Sequence, residues 1–279
     1  MSLAVVTFFY PNAVNYVSGF LNCIQQQTNQ NFTLIVFNDG VFDIQNYFSS
    51  YQNKIIFIDV SGTPTQVRFQ AFEYLKSSNF EKIVFQDIDD EMTLNRVDVL
   101  SKLLENYSIV SNDLSLVNDV GVMYAKSIWS DKIMDLFEFD DEFIKRKNVV
   151  GIGNSGIRKN ILQTKITYSA VPKVADWFMF YQLMHLGKFK ATFTTQCQTL
   201  YRQHEDNMAG VKSFNKERLE YVIMVKLSHY QGLKEVGFDV ENEINELNVL
   251  STKIKNITSI HPIKQNLFWW DETNEIQIN

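Results

Sequence analysis

Three carboxylates follow an apolar run in the first third of the chain. The segment EKIVFQDIDDEMT, residues 81–93, passes from apolar residues 83–85 to Asp87, Asp89 and Asp90. Negative charges this close repel each other, and a divalent cation with oxygen ligands would relieve the repulsion. Two alternatives are open: a solvated polar turn after a strand, or a ligand site that uses the charge.

The residues before this segment alternate between two hydrophobic periods. Four runs rich in β-branched and aromatic residues predict strands: AVVTFF, FTLIVF, KIIFIDV and KIVFQD. Apolar residues at helical spacing predict one amphipathic helix between the first two runs and another between the last two. The apolar stripe of the first helix is Val14, Val17, Phe20, Leu21 and Ile24, and that of the second is Val67, Ala71, Phe72 and Leu75. Strands alternating with helices predict an α/β fold with a doubly wound, mostly parallel sheet flanked by helices.

Polar residues collect where these strands end. Ligands of open α/β sheets bind at the carboxyl ends of the strands. YPNAVN follows the first strand in place of a glycine-rich phosphate loop, which disfavours a dinucleotide cofactor and a P-loop mechanism. The residues predicted at this edge are Thr7, Tyr10, Asn38, Asp39, Asp59 and Asp87.

Composition restricts the function classes. The 279 residues are 45% hydrophobic and carry a formal charge of −6, which favours one large domain with or without an appendage and disfavours nucleic acid as a partner. Cys23 and Cys197 are expected to be reduced core thiols. Without a signal peptide or an apolar run of about eighteen residues, we expect a cytoplasmic protein with no transmembrane segment, leaving peripheral contact with the inner face of a membrane open.

Five segments in order resemble the family-2 glycosyltransferases, which have the GT-A fold and move a sugar from a nucleotide donor. The resemblance runs from about residue 4 to residue 210. It implies transfer from a nucleotide-diphosphate sugar, with UDP as the first expectation, to a saccharide or lipid-linked saccharide acceptor in polysaccharide biosynthesis. The segments are VVTFFYPN, QQQTNQNFTLIVFNDG, FQDIDDEM, GNSGIRKNIL, and VADWFMFYQLMHLGKF followed by LYRQH.

The resemblance assigns the donor side of the site. FQDIDDEM stands at the family's DxD motif, so Asp89 would bind Mn²⁺ or Mg²⁺, with His204 as a further ligand. Asp87 would bind the ribose or assist Asp89, and Asp90 would be solvated or would lie behind the metal ligands. Asn38 replaces the first of two usual acids, which leaves the base preference open. The nucleotide would also contact Thr7, Tyr10, Asn38, Asp39 and Arg202.

The resemblance also assigns the acceptor side. Asp176 falls in the first turn of a helix predicted to close at Gly187, where the helix dipole favours an ionised carboxylate. It would be the base of an inverting transfer, or else a helix cap, and Ala175 replaces an acid beside it. Trp177 would either floor the acceptor pocket or pack in the core. Asn154 would lie near the donor sugar, in a turn rich in glycine.

Residues 211–279 are predicted to form a helical C-terminal extension to a catalytic domain of residues 1–210. Periodicity predicts two helices joined near residues 232–237, followed by the aromatic run at 268–270. The extension would pack on the catalytic domain, join a second subunit in a homo-oligomer, or hold the acceptor. Two other functions are open: a degenerate, non-catalytic protein that binds nucleotide-sugar or carbohydrate, and a nucleotidyltransferase.

Overall fold

The structure, a computed structural model, describes residues 2–203, 215–255, 260–262, 270–273 and 276–278. The strands are β1 (Leu3–Phe9), β2 (Thr33–Asp39), β3 (Ile55–Val60), β4 (Lys82–Phe85), β5 (Glu91–Met92), β6 (Ile109–Asn118), β7 (Met123–Ala125), β8 (Phe137–Phe139), β9 (Ser155–Arg158), β10 (Ala191–Gln203), β11 (Ile260–Pro262) and β12 (Ile276–Ile278). The α-helices are α1 (Val17–Gln25), α2 (Ile44–Tyr47), α3 (Pro64–Ser77), α4 (Arg96–Leu103), α5 (Asp141–Ile144), α6 (Ala175–Gly187), α7 (Lys216–Glu235) and α8 (Glu241–Lys255). Short 3₁₀ turns span Pro11–Tyr16, Ile152–Asn154 and Lys159–Gln163.

One mixed sheet dominates the described part of the chain. Its strand order is β3-β2-β1-β4-β9-β6-β10-β5, with β7 added on β6 and β8 on β10. β1 is parallel to β2 and β4, β2 is parallel to β3, and β6 is parallel to β10. β9 is antiparallel to both β4 and β6, so β4 and β6 point the same way. The carboxyl ends of β1, β2, β4 and β6 therefore share one edge.

Helices cover both faces of the sheet, as predicted. Every residue of β1 is buried, which explains its unbroken apolar run. Val6 packs in the cluster that contains Phe72 of α3, whereas Val5 packs with Phe20 of α1 on the other face. The α/β architecture with a mostly parallel sheet flanked by helices is confirmed.

The C-terminal helices join the same hydrophobic core. Leu219 of α7 and Leu247 of α8 belong to the cluster that contains Phe178 of α6. The predicted join near residues 232–237 was placed too early, because Gly232 lies inside α7, where a side chain would collide with Pro172. The boundary predicted at residue 210 lies outside the described residues, so the division into two domains stays a prediction. Within the described ranges, no helix has the length and apolarity needed to span a bilayer.

Candidate active site

An open pocket of about 230 Å³ lies at the shared carboxyl edge of the sheet. Asp87 and Asp90 enter it from the loop after β4, and Asp176 enters from the first turn of α6. Arg68 of α3 and the 3₁₀ turn Ile152–Asn154 complete this side of the wall. Two carboxylate groups that are 89 positions apart in the chain, Asp87 and Asp176, therefore line one pocket.

The loop after β4 holds its three acids in different environments. Burial and the negative charge of Asp89 raise the pKa of Asp87 to about 7, against the opposing effect of Arg68, whose Nη2 lies 3.9 Å from Asp87 Oδ1. Asp90 is 3% exposed and accepts the Arg202 backbone N–H at 2.8 Å, so of its two expected positions it does not take the solvated one. Burial raises the Asp90 pKa well above its ordinary value. Strongly perturbed pKa values cluster at functional sites, so these acids mark the pocket as a candidate site.

A buried arginine supports this loop from below. Arg96 is fully buried, and its Nη2 donates to the carbonyl oxygens of Phe85 at 2.9 Å and Gly153 at 3.2 Å. Its Nη1 donates to Gln86 Oε1 at 3.0 Å, and its Nε donates to Asn112 Oδ1 at 2.7 Å. Sequence reasoning missed Arg96, since a single charge at the start of a helix resembles any solvated residue.

Two glycines let the neighbouring turn approach the carboxylates. A Cβ on Gly153 would lie 2.5 Å from Asp87 Oδ2, and one on Gly151 would lie 3.1 Å from Asp176 Oδ2. Asn154, predicted near the donor sugar, lines the pocket but closes this turn: its Oδ1 accepts the Gly151 N–H at 2.8 Å. Its Nδ2 donates to the carbonyl oxygens of Asn112 and Val149. The glycines therefore serve close approach to both acids.

Asp176 is held by backbone donors at the pocket wall. Its Oδ1 accepts the Trp177 N–H at 2.7 Å, and its Oδ2 accepts the Ile152 N–H at 3.2 Å. The N-cap of α6 is Val174, so Asp176 is not the cap that the alternative proposed. Burial raises the pKa of Asp176 although these N–H groups oppose the shift, so the expected effect of the helix dipole does not prevail. A raised pKa makes a carboxylate a better proton acceptor.

The structure decides between the two alternatives for Trp177. Its side chain is 1% exposed, and its Nε1 donates to the Ile144 carbonyl at 2.7 Å. The indole stacks on His229 with ring centroids 3.7 Å apart. A sugar has no access to either ring face, so Trp177 packs in the core and does not floor an acceptor pocket. Gly187 is the last residue of α6, and Lys188, in the left-handed conformation, is the C-cap.

The residues predicted to contact the nucleotide divide into accessible and internal groups. Tyr10 and Asp39 are half-buried, and the Tyr10 hydroxyl donates to Asp89 Oδ2 at 3.4 Å. Thr7 is fully buried within β1. Asn38 is 7% exposed: its Nδ2 donates to Asp59 at 2.8 Å and to the Val41 carbonyl, and its Oδ1 accepts the Val41 N–H. The amide oxygen and nitrogen of Asn38 thus hold the loop after β2, and these are the atoms that would otherwise contact a nucleotide base.

Two arginines near the pocket have positions that the sequence did not predict. Arg202, predicted to contact the nucleotide, is 6% exposed and donates to the carbonyl oxygens of Asp89 and Asp119 and to Glu91 Oε1. It therefore connects β10 to the loop after β4, residues 86–90, which we call the acid loop. Arg68, which sequence reasoning missed, stacks on the Phe8 ring at 3.5 Å and faces the pocket. The available signal was a basic residue beside the apolar stripe in PTQVRFQAF.

The carboxylate oxygens of the pocket suit a hard cation whose remaining coordination positions are filled by substrate phosphates and water. Among residues 2–203, 215–255 and 270–273, no set of three or more His, Cys, Asp or Glu side chains converges on one point. Mg²⁺ commonly binds one or two carboxylates together with substrate phosphates and water, an arrangement that Asp89 and Asp87 can supply. His204, the other predicted ligand, lies outside the described residues.

Comparison with known proteins identifies shared fold and a short similar sequence. No family model matches the chain. Over 97 residues the chain is 33% identical to the teichoic acid poly(glycerol phosphate) polymerase of Staphylococcus epidermidis, a match that spans 32% of this chain and 13% of that protein. The structure of S. aureus TarS 1–349 in complex with UDP-GlcNAc has a TM-score of 0.57 and 14% identity, covering 91% of this chain and 72% of that one. The structure of TarS 1–349 in complex with UDP has a TM-score of 0.54, and the match covers 91% of this chain and 71% of that one. These structures show that the chain has the TarS fold.

Proposed function

We propose that this protein is a nucleotide-sugar-dependent glycosyltransferase of the inverting type. The observation that carries the proposal is that one glycine turn contacts both acids: Gly153 lies against Asp87, and the Ile152 N–H binds Asp176. A donor-binding acid and a base for the acceptor must lie on either side of the transferred sugar. The motif order and the structural likeness to TarS bound to UDP-GlcNAc support the same function.

On the donor side, we assign Tyr10, Asp39 and Asp87 to the nucleoside and Arg68 to the diphosphate. Arg68 is the pocket cation nearest to the acid loop, so it can offset charge that accumulates on the leaving phosphate. Mn²⁺ or Mg²⁺ held by Asp89 would act as a Lewis acid on the same charge. UDP is the first choice of nucleotide.

On the acceptor side, Asp176 takes the proton from the acceptor hydroxyl as its oxygen attacks the anomeric carbon. The two N–H donors fix the carboxylate, and its raised pKa strengthens it as a base. Attack from the face opposite the leaving diphosphate inverts the anomeric centre. The similar polymerase, named for teichoic acid and poly(glycerol phosphate), suggests such a polymer as acceptor, saccharide or lipid-linked. Peripheral contact with the inner face of a membrane would give access to a lipid-linked acceptor.

Calorimetry against UDP, GDP, dTDP and CDP, with and without Mn²⁺, tests the donor site. We expect one diphosphate to bind in a metal-dependent manner and Asp89→Asn to abolish that dependence. Glu81→Gln is the matched control, because Glu81 is exposed at the amino end of β4, the opposite edge of the sheet. Absence of binding to every nucleotide, with and without metal, would overturn the proposal.

The products separate this function from its two alternatives. A glycosyltransferase that is given UDP-GlcNAc as donor releases UDP. A nucleotidyltransferase instead consumes a nucleoside triphosphate and releases pyrophosphate. A non-catalytic binding protein releases neither UDP nor pyrophosphate. The replacement of acids by Asn38 and Ala175 is the observation that favours the non-catalytic protein. Its signature would be UDP-GlcNAc binding without transfer or hydrolysis.

A further inference from the structure

Residues 270–273 near the C-terminus are attached to the rest of the protein through every side chain. The Trp270 ring lies 5.3 Å from the Trp129 ring, measured between centroids. Asp271 pairs with Lys132 at 2.9 Å, and Glu272 pairs with Arg218 of α7 at 3.0 Å. Lys226 of α7 donates to the Trp270 carbonyl and to Thr273 Oγ1. The segment therefore bridges α7 and the loop that carries Trp129.

This attachment is buried. Trp270 is 4% exposed and Glu272 is 3% exposed, while Arg218 and Lys226 are 6% and 3% exposed. Burying two cations and an acid is costly unless each has a partner, so such groups specify one arrangement of the chain. The C-terminal segment thus has a defined place against both α7 and the loop that carries Trp129.

Trp129 connects this segment to the pocket. It lines the same pocket as Asp176, with Leu114 beside it, and is 2% exposed. The buried Asp113 carboxylate fixes the backbone of both wall residues, accepting the N–H of Trp129 at 3.0 Å and of Leu114 at 2.8 Å. The indole ring packs against Phe193 at 6.1 Å and against Trp270 at 5.3 Å, measured between ring centroids. Removing the Trp270 ring would take away one of the contacts that hold the indole.

We propose that Trp270 is a positioning residue for the acceptor side of the pocket, acting through Trp129. This inference rests on the proposed function, because it takes Trp129 and Leu114, which line the pocket together with the proposed base Asp176, as part of the acceptor side. The donor side is formed by other elements: the loop after β4, Arg68 of α3 and Tyr10. Loss of the Trp270 ring should therefore weaken acceptor binding and leave nucleotide binding unchanged.

The first measurement is independent of activity. Protein labelled with 5-fluorotryptophan contains four reporter residues, and Trp129→Phe assigns the ¹⁹F resonance of Trp129. Trp270→Ala should shift that resonance, and Trp270→Phe should shift it less because an aromatic ring remains. Leu247→Ala, which empties a buried position of α8, is the control for general loosening of the C-terminal helices. Trp270→Leu replaces the alanine variant if the latter does not fold.

The second measurement uses UDP-GlcNAc as donor and glycerol phosphate oligomers as acceptor. Trp270→Ala should raise the acceptor KM by roughly tenfold to a hundredfold at unchanged UDP affinity, since small misplacement of a pocket wall has effects of this size. Trp270→Phe should restore most of the acceptor binding, and Leu247→Ala should not change KM.

Four outcomes would overturn the inference. An unshifted Trp129 resonance in Trp270→Ala shows that the contact does not position the ring. Equal losses of UDP affinity and acceptor binding, or the same KM change in Leu247→Ala, show a general effect on stability. If the native protein binds no UDP and transfers no sugar, the proposed function falls and the acceptor role falls with it, whatever the ¹⁹F spectrum shows.

Discussion

A methyl group on Gly153 would lie 2.5 Å from Oδ2 of Asp87 and 3.3 Å from Oδ2 of Asp90. Real Cβ atoms do not approach oxygen as closely as the first of these distances. The turn at Gly153 and the acid loop can therefore lie this close only because Gly153 has no side chain. The shape of the site depends on glycine at this position.

Gly153→Ala should displace the Asp87 carboxylate and lower kcat/KM by at least about tenfold, the effect expected of a small displacement in an active site. Enzyme kinetics and UDP calorimetry measure the loss. Gly19→Ala is the control: its Cβ would meet Glu91 Oε1 at an ordinary 3.7 Å, and alanine in α1 should add about 0.5–1 kcal/mol of stability. Full activity in Gly153→Ala would mean that the position of Asp87 is not critical.

Asp87→Asn should stabilise the metal-free protein increasingly as pH rises. The pKa of Asp87 is about 7 in the folded protein against an ordinary 3.8, so the folded state binds more protons between these values. The contribution of this carboxyl to stability is then complete below pH 3.8 and is lost as pH rises through 7. Asparagine does not titrate, so the variant should gain Tm relative to the native protein from pH 4 to pH 8.

Thermal unfolding in the presence of EDTA across this range tests the prediction. Glu81→Gln, at an exposed position on the opposite edge of the sheet, is the control. A constant Tm difference for Asp87→Asn would contradict the raised pKa.

Asp176→Asn should preserve donor binding and lower the transfer rate by roughly 10²–10⁴-fold, since a general base contributes this much. The amide oxygen can still accept the Trp177 N–H, but the amide NH2 is a donor and cannot accept the Ile152 N–H, so the variant keeps one of the two bonds. Single-turnover kinetics with UDP-GlcNAc, together with UDP calorimetry, separates the two effects. Transfer at the native rate would exclude Asp176 as the base.

Arg96→Met should destabilise the protein by about 2–4 kcal/mol, because it leaves buried carbonyl oxygens without donors. The affected groups include the Phe85 and Gly153 carbonyls that frame the acid loop. Urea unfolding measures the loss. Lys102→Met, in the same helix but exposed and paired with Asp98, should change stability by less than about 0.5 kcal/mol. Similar values for both variants would show that the buried network adds little.

Local sequence was sufficient for strands β1–β4 and for helices α1 and α3. The apolar runs of β1, β2 and β4 are long enough to be buried on both faces, and the helical period of α3 begins at a capping box formed by Thr63 and Gln66. Placing carboxylates after strands also located the pocket edge, because parallel strands end together. The antiparallel β9 was not predicted, since its pairing joins segments far apart in the chain.

By itself, the sequence determined the α/β architecture and placed Asp87 after a strand, because strand and helix periods and strand-end polarity are local properties. Asp176 came from the resemblance to the family-2 glycosyltransferases. Only the tertiary structure decided which polar groups are used internally: Asn38 binds Val41, Arg202 binds carbonyl oxygens, and Trp177 stacks on His229. Those outcomes depend on burial and on partners from distant segments. The same physical cause, removal of charge from water by packing, raises the pKa values of the pocket acids.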